Sequence, residues 1–347
     1  MTGPGPEQGP GAGPATPIST PASLEEVDEL VERFEGVTRR PRGLMGRLAG
    51  ALAIAMAIFH LWATFAYLPA HQLRAVHLAF GLVLIFLLYP GWRGEDRSRV
   101  PWHDVLLAGA AAVSLGYVVV FYQEVAYRII RPETTDLVLG TLALLLVLEA
   151  ARRTTGWVLP VVAVVFLAYA FFGSYLPGVW GHRGYHFDRL IGQMYLSLEG
   201  IFGVPLGVSA TFIILFTIYG AILDASGAGK FFVDLSLALM GRRRSGAGRT
   251  VTAASFLLGG PSGSGVATAV TLGAITWPML RQAGYSPERA GALLSAGGIG
   301  AVISPPILGA ASFLIAEILQ VSYLEVIKWA VMPTVLYYVA ILLMIEL

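Results

Sequence analysis

Long apolar runs recur along this chain, and they limit its fold more than any other sequence feature. A helix that spans a bilayer needs about 20 mostly apolar residues. Charged residues make up 13% of the chain, whereas globular chains average about 25%. The sequence therefore predicts an all-α polytopic membrane protein. Six runs are predicted spans: Leu44–Leu68, Leu73–Tyr89, Val105–Tyr122, Leu137–Ala151, Trp157–Phe172 and Leu206–Leu223.

Basic residues concentrate in alternate linkers between these spans. They precede the first span and follow the second, fourth and sixth: Arg39, Arg40, Arg42, Arg93, Arg97, Arg99, Arg152, Arg153, Lys230 and Arg242–Arg244. Cytoplasmic loops carry an excess of Lys and Arg. The pattern predicts a cytoplasmic N-terminus, and in a bacterial cell the chain would lie in the inner membrane.

The N-terminal segment 1–43 is predicted to stay in the cytoplasm. Residues 1–22 are rich in Gly and Pro and have little to bury, which predicts disorder. Apolar residues at helical spacing over Leu24–Phe34 predict a short amphipathic helix. The chain has no cysteine, which excludes thiolate sites, and its net charge of +1 gives no nucleic-acid footprint.

After the sixth span the apolar pattern changes. Phe231–Met240 is too short to span, and its apolar face and following arginines predict a helix in the plane of the interface. Two short apolar arms then surround a Gly/Ser centre between Thr250 and Met279, which predicts a re-entrant helical hairpin. The segment 277-WPMLRQAGYSPER-289 is predicted to be a polar turn.

The centre of the hairpin, 258-LGGPSGSGVATAVTLG-273, combines Gly, Pro and Ser within an apolar region. Glycine and proline make a continuous helix costly there. Broken backbone at membrane depth is tolerated only where protein buries it or where it lines a wet cavity. Hydroxyls and freed carbonyls can bind a small cation, and the N-terminus of the helix that starts near Val266 favours an anion.

A second break is predicted in 297-GGIGAVISPPILGAASFLIAE-317. The Pro306 ring removes a backbone donor and frees carbonyls near Ala301 and Val302. Two interrupted helices in one domain are a sequence pattern of secondary-transporter sites. Small residues also permit close helix packing, so 291-GALLSAGGIG-300 remains open to an interpretation as packing alone.

Five segments in order resemble the large permease domain of the tripartite ATP-independent periplasmic (TRAP) transporters. They are SGAGKFFVDLSLALMG (226–241), GGPSGSGVATAV (259–270), PMLRQAGYSPERAGAL (278–293), PPILGAASFLIAE (305–317) and YLEVIKWAVMPTVLYYVAILLM (323–344). The chain is most similar to the fused permeases of the TAXI subfamily. The resemblance is strong over roughly 200–347, and the preceding helices match by layout only.

The resemblance implies sodium-driven symport of an organic acid anion, delivered by a periplasmic solute-binding protein and carried by an elevator-type movement. Sodium is the implied coupling ion, and no other cofactor is expected. The implied sodium ligands, mostly main-chain, are Ser262, Gly263, Ser264, Ala301, Ser304 and Pro306. The implied substrate contacts are Ser264, Gly265 and Thr268.

Three positions depart from the pattern of the fused permeases. Thr268 stands where they have Asn, Val302 where they have Gln, and Ala301 where they have Gly. Main-chain ligation could survive these changes, but a role of the replaced side chains in selecting the substrate cannot be transferred.

The resemblance also divides the chain. Residues 44–190 are expected to form small-subunit-like scaffold helices, and 191–347 the first half of the transport domain, with its hairpin near 250–279. Fused permeases continue through a second half, so the chain is expected to be a fragment or a truncated product that does not transport alone.

Several ionisable residues lie in or beside apolar runs. Glu149 is expected to pair with Arg152 and Arg153. Asp224 is expected at a helix end, and Glu317 remains open between a protonated acid and a group facing a polar seam. His60 and His77 are expected to be hydrogen-bonded packing groups, since no histidine has zinc-site spacing.

Two other functions are alternatives to a transporter. An intramembrane enzyme would need a nucleophile–base pair or a metal triad at depth, and the sequence contains neither pattern, so the chain is not expected to be an enzyme. The alternative is a non-transporting membrane scaffold or receptor subunit, which would not need two helix breaks that face each other.

Overall fold

Helices make up the fold of the described residues. The computed structural model describes residues 38–92, 94–240, 246–262, 265–305, 308–309 and 311–346, and no strand occurs in these ranges. The expected tail over 1–22 and the amphipathic helix Leu24–Phe34 lie outside them, as do Arg93 and Arg242–Arg244. The predicted all-α polytopic fold is confirmed.

Within the described ranges, seven helices are long and apolar enough to cross a membrane. Their bounds are α1 Gly43–Ala63, α2 Ala70–Leu88, α3 Trp102–Val120, α4 Thr134–Thr155, α5 Val158–Tyr175, α6 Val204–Leu223 and, at the end of the chain, α12 Tyr323–Glu346. The first six match the six predicted spans within a few residues. Along the chain, the helices between α6 and α12 are too short or too polar to be counted as membrane-spanning.

These intermediate helices contain the predicted hairpin and the second break. They are α7 Ala228–Met240, α8 Gly246–Ser262, α9 Gly265–Gln282, α10 Pro287–Ile303 and α11 Ala311–Leu319. Helix α8 packs against α7, α9, α10 and α12. A short helix, Tyr122–Tyr127, joins α3 to α4, and Phe187–Ile191 continues into a π-helical turn, Gly192–Leu196, before α6.

Helix α8 continues through Gly259 to Ser262, and Gly259 packs closely against α10, since a Cβ on it would lie 2.5 Å from the Ala301 Cα. One expectation about the hairpin needs correction. The polar turn predicted from Trp277 is wrong for 277–282, since α9 continues through Pro278 to Gln282. The turn is confined to the residues between α9 and α10, where Gly284 has φ +91°.

Buried apolar residues form separate clusters in the two halves of the chain. The larger cluster extends from Ala49 to Phe202 and joins α1–α4 to the Phe187–Leu196 segment. A second cluster, from Val233 to Ile341, joins α7–α10 to α12. The helices that resemble a small subunit therefore pack mainly with one another, and α6 connects the two halves.

An ion-pair network ties together three basic linkers at one end of the first bundle. Arg39 Nη1 lies 2.6 Å from Asp104 Oδ2, and Arg39 Nη2 lies 2.6 Å from Glu95 Oε2. Arg153 Nη2 lies 2.8 Å from Asp104 Oδ1. The segment before α1, the linker after α2, the start of α3 and the end of α4 therefore meet at the same end, as the alternation of the spans requires. The expected pairing of Glu149 with Arg152 and Arg153 is confirmed, both at 2.7 Å.

Candidate functional site

The two predicted breaks lie against each other. A Cβ on Gly265, the first residue of α9, would lie 2.7 Å from the Gly298 carbonyl oxygen and 3.3 Å from Val302 Cγ2. On the other arm, Gly259 of α8 abuts Ala301 of α10. The tip of the hairpin thus contacts the last turn and a half of α10, immediately before Pro305.

Contacts with the spanning helix α12 show how deep in the membrane this junction lies. Phe256 of α8 packs edge-on against Tyr338, with ring centroids 5.3 Å apart. Ser262, six residues further along α8, lies about 9 Å beyond that level. Thr334 Oγ1 lies 2.7 Å from the Ile303 carbonyl oxygen and 2.6 Å from the Ala330 carbonyl oxygen, between which its one proton is shared. Tyr338 and Thr334 belong to the middle of a helix long enough to span, so both breaks lie near mid-depth of α12.

The base of the hairpin lies at the far end of α12. A Cβ on Gly248 would contact the Tyr285 hydroxyl and lie 3.0 Å from Ile345 Cγ2. Arg249 Nη2 lies 2.6 Å from Glu346 Oε1. The hairpin therefore begins and ends beside the C-terminal end of α12, and its tip reaches only about halfway along that helix.

Most carbonyls at the end of α10 already have protein donors. The Ser304 hydroxyl donates to the Gly300 carbonyl at 2.5 Å, and the Gly309 N–H donates to the Val302 carbonyl at 2.6 Å. Ile303 receives the Thr334 hydroxyl. Ala301 and Val302 both lose their helical donor, because the residues four positions ahead are Pro305 and Pro306, which have no N–H to give. The Gly309 N–H takes the place of that donor at Val302, which distinguishes the Ala301 carbonyl.

The predicted sodium ligands fall partly within this junction. Ala301 and Ser304 are completely buried and adjoin the hairpin and α12. Ser262 ends α8, and only its backbone position is described. The remaining three predicted ligands, Gly263, Ser264 and Pro306, lie outside the described residues.

The predicted substrate contacts lie at the start of α9. Gly265 begins the helix and touches α10, and Thr268, one turn later, is 1% exposed. Ser264 lies outside the described residues. The sequence contains no charged residue over 250–276 or 290–316, so the polar groups of the junction are backbone and hydroxyl groups.

Aromatic and hydroxyl side chains of α12 complete the junction, and the sequence analysis did not assign them. Tyr338 Oη lies 3.3 Å from Ser304 Oγ. Tyr337 donates to the Ala296 carbonyl at 2.7 Å, and Tyr323 receives the Leu308 N–H at 3.0 Å. Their signal in the sequence is the series of hydroxyl residues in a mostly apolar span: Tyr323, Thr334, Tyr337 and Tyr338.

Another group could in principle hold a metal ion. Ligand atoms of Glu95, His103 and Asp104 all lie within 4.8 Å of one another. Arg39 and Arg153 already contact the carboxylates of Asp104, and Arg39 also contacts Glu95. Because the guanidinium groups supply the positive charge there, we assign this group to the ion-pair network described above.

The two remaining acidic residues, Asp224 and Glu317, lie in different parts of the structure. Asp224 belongs to the helical turn that follows α6, as expected for a helix end, and only its backbone is described. Glu317 lies on α11, close enough to Arg74 of α2 to interact electrostatically. An acid of the second half therefore interacts with a base of the first.

Comparison with known proteins identifies the family. The model of the DctM component of the tripartite ATP-independent periplasmic transporters matches residues 142–347, which is more than half of the chain. The large permease protein of the 2,3-diketo-L-gulonate TRAP transporter from Escherichia coli is 36% identical over 109 residues, which are 31% of this chain and 26% of that protein. A Haemophilus influenzae protein named as a TRAP transporter large permease is 33% identical over 91 residues, or 26% of this chain and 21% of its own length.

The chain thus spans about a quarter of the length of these curated relatives. No solved structure is detectably similar to it. The expectation of a transport protein rather than an enzyme is confirmed by the relatives. This multi-pass membrane protein belongs to the family of the DctM component of the tripartite ATP-independent periplasmic transporters.

Proposed function

We propose that the chain is the permease component of a sodium-driven TRAP uptake system of the TAXI type for organic acid anions. The observation that carries the proposal is the meeting of two broken helices at mid-depth of α12, in segments without any charged residue. A monovalent cation can be held there by carbonyl and hydroxyl dipoles alone, whereas Mg²⁺ or Ca²⁺ favours carboxylate ligands.

Ala301 is the central sodium ligand in this proposal. Pro305 leaves its carbonyl without the helical amide donor, and we propose that Ser262, Gly263 and Ser264 supply further ligands. Ser304 uses its hydroxyl proton on Gly300, which leaves lone pairs on its oxygen for a cation. Pro306 contributes by interrupting α10.

The same junction has features that suit a carboxylate substrate. The N-terminus of α9 carries partial positive charge and starts at Gly265. Ser264, Gly265 and Thr268 are the proposed substrate contacts at that start, and a bound sodium ion would add positive charge beside it. A periplasmic solute-binding protein would deliver the anion at the bacterial inner membrane, and elevator-type movement of the second half against α1–α4 would carry it across.

A proline substitution tests the sodium site directly. Pro305→Ala restores an amide donor that can bond to the Ala301 carbonyl and lengthen α10. We expect sodium affinity to fall by about tenfold or more, because a strong competing hydrogen bond is worth over 1 kcal/mol. The measurement is thermal stability titrated with sodium or potassium, in which a ligand stabilises by mass action.

Pro278→Ala is the matched control. Pro278 also lies inside a helix of the second half, but it is 13 residues, or about 20 Å along α9, from Gly265. Its removal should leave sodium affinity unchanged. If sodium and potassium stabilise the unsubstituted chain equally, the proposed sodium site is wrong. Sodium-dependent uptake by the complete gene product and its binding protein in proteoliposomes tests the transport step.

A further inference from the structure

Two buried histidines and a serine form a hydrogen-bonded chain across three spans. His60 of α1 is 2% exposed and His77 of α2 is 8% exposed. His60 Nδ1 lies 2.7 Å from the Met56 carbonyl, and His77 Nδ1 lies 2.9 Å from His60 Nε2. His77 Nε2 lies 2.9 Å from the Ser209 hydroxyl. We call these three side chains the His–His–Ser chain.

The partners fix where the protons lie in the neutral chain. A carbonyl can only accept, so His60 carries its proton on Nδ1 and leaves Nε2 as an acceptor. His77 must therefore donate from Nδ1, which makes its own Nε2 the acceptor for the Ser209 hydroxyl. Every hydrogen bond then points the same way, from α6 through α2 to α1.

This arrangement can take one more proton without moving a heavy atom. A proton added at His77 Nε2 would point at Ser209, and a hydroxyl can accept as readily as it donates. The imidazolium would then donate at both nitrogens, to His60 and to Ser209. A second added proton would put an N–H on His60 Nε2 against the N–H of His77, so the chain accommodates one proton and excludes two.

Among the described residues packed around His60 and His77, no other charged group forms a hydrogen bond or ion pair with either imidazole ring. His71 and Arg74 of α2 are directed to the Leu196 and Phe202 carbonyls. The charged and titratable groups of the neighbouring helices α3, α4 and α6 are engaged in ion pairs or hydrogen bonds elsewhere or lie on an exposed surface: His103, Asp104, Tyr117, Asp136, Glu149, Arg152, Arg153 and Tyr219. The ring that His77 contacts directly is His60, at 2.9 Å between Nδ1 and Nε2.

From this geometry we propose that the His–His–Ser chain is a proton-binding site that holds one exchangeable proton inside the membrane spans. Ser209 begins a π-helical turn, Ser209–Ile213, within α6, and such turns are frequent at functional sites. Protonation would reverse the hydrogen bond between His77 of α2 and Ser209 of α6, the helix that connects the two halves. The proposal does not rest on sodium coupling.

Nitrogen NMR of ¹⁵N-histidine in lipid nanodiscs tests this site, because imidazole shifts report tautomer and protonation. At high pH we expect both rings to be neutral with the proton on Nδ1. As pH falls, one proton should add to the pair, at His77 Nε2. Rings that stay neutral over the whole pH range in which the protein is folded would overturn the proposal, as would the uptake of two protons.

Conservative variants separate proton binding from a purely structural role. Ser209→Ala removes the acceptor that a charged His77 needs, so the midpoint of protonation should move to lower pH by about one unit or more. Ser209→Thr should restore it. His71→Gln, on the same helix but outside the chain, should leave the midpoint unchanged. If Ser209→Ala has the same midpoint of protonation as the unsubstituted chain, Ser209 does not accept a hydrogen bond from the protonated His77, and the proposal is wrong.

Discussion

The glycines of α10 differ in their surroundings: some lie in close contact with another helix, and one does not. The sequence does not distinguish them. Gly298 abuts the Gly265 carbonyl oxygen, and a Cβ on Gly300 would lie 2.6 Å from the Tyr338 hydroxyl. Gly297 faces Ser255 of α8 in the same way. The interpretation of 291-GALLSAGGIG-300 as a packing surface is confirmed for these three positions. Gly291, in the same run, faces open space.

A pair of alanine substitutions in this helix should separate the two kinds of glycine. Gly297→Ala would press a methyl group against Ser255 Oγ and lie 2.9 Å from its Cβ, so we expect a loss of about 1–3 kcal/mol. Gly291→Ala meets no atom and should be neutral or stabilising by up to about 1 kcal/mol. Thermal unfolding in one detergent compares them, and equal effects would contradict the close approach of α8 and α10.

At the scale of elements, charge rather than apolar packing fixes one end of the first bundle. Asp104, at the start of α3, contacts Arg39 before α1 and Arg153 at the end of α4. Arg153 also lies over the Phe86 ring of α2, with 5.1 Å between its Cζ and the ring centroid. Four segments distant in the chain are thereby held by one carboxylate and its two partners.

Removing that carboxylate should be costly. Asp104→Ala leaves two buried guanidinium groups without their shared partner, so we expect a loss of about 3–5 kcal/mol. Glu133→Ala at the other end of α4 removes the ion pair of an exposed carboxylate with Arg128 and the N-terminal cap of α4, and should cost no more than about 2 kcal/mol. The measurement is unfolding in detergent; similar losses in both variants would show that the network contributes little.

For the whole molecule, the contacts define a consistent path through the membrane. Helices α1–α6 alternate, the hairpin returns to the side from which it enters, and α10 with α11 makes one interrupted crossing before α12. The salt bridge of Arg249 to Glu346 joins the base of the hairpin to the end of α12, as this path requires. The predicted cytoplasmic N-terminus then places the linker after α2 and the turn after α9 on the same side.

Single cysteines can test this path because the chain has none of its own. We expect Ser98→Cys and Ala283→Cys to react with an impermeant thiol reagent from the cytoplasmic side. Gly184→Cys should react from the periplasmic side, since its loop follows α5. Labelling of Ser98→Cys and Gly184→Cys from the same side would refute six alternating spans, and labelling of Ala283→Cys from the periplasm would refute a re-entrant hairpin.

The sequence by itself determined the class of fold, the spans and the position of the second break. Hydrocarbon-length apolar runs leave helices as almost the only solution, and Pro305 cannot continue the hydrogen bonding of α10. Only the tertiary structure decided that Gly259 and Gly297 bring helices together, that hydroxyls of α12 occupy the carbonyls of α10, and that His60, His77 and Ser209 meet. These contacts join residues that are far apart in the chain, and local periodicity reports which face is apolar but not which partner will cover it.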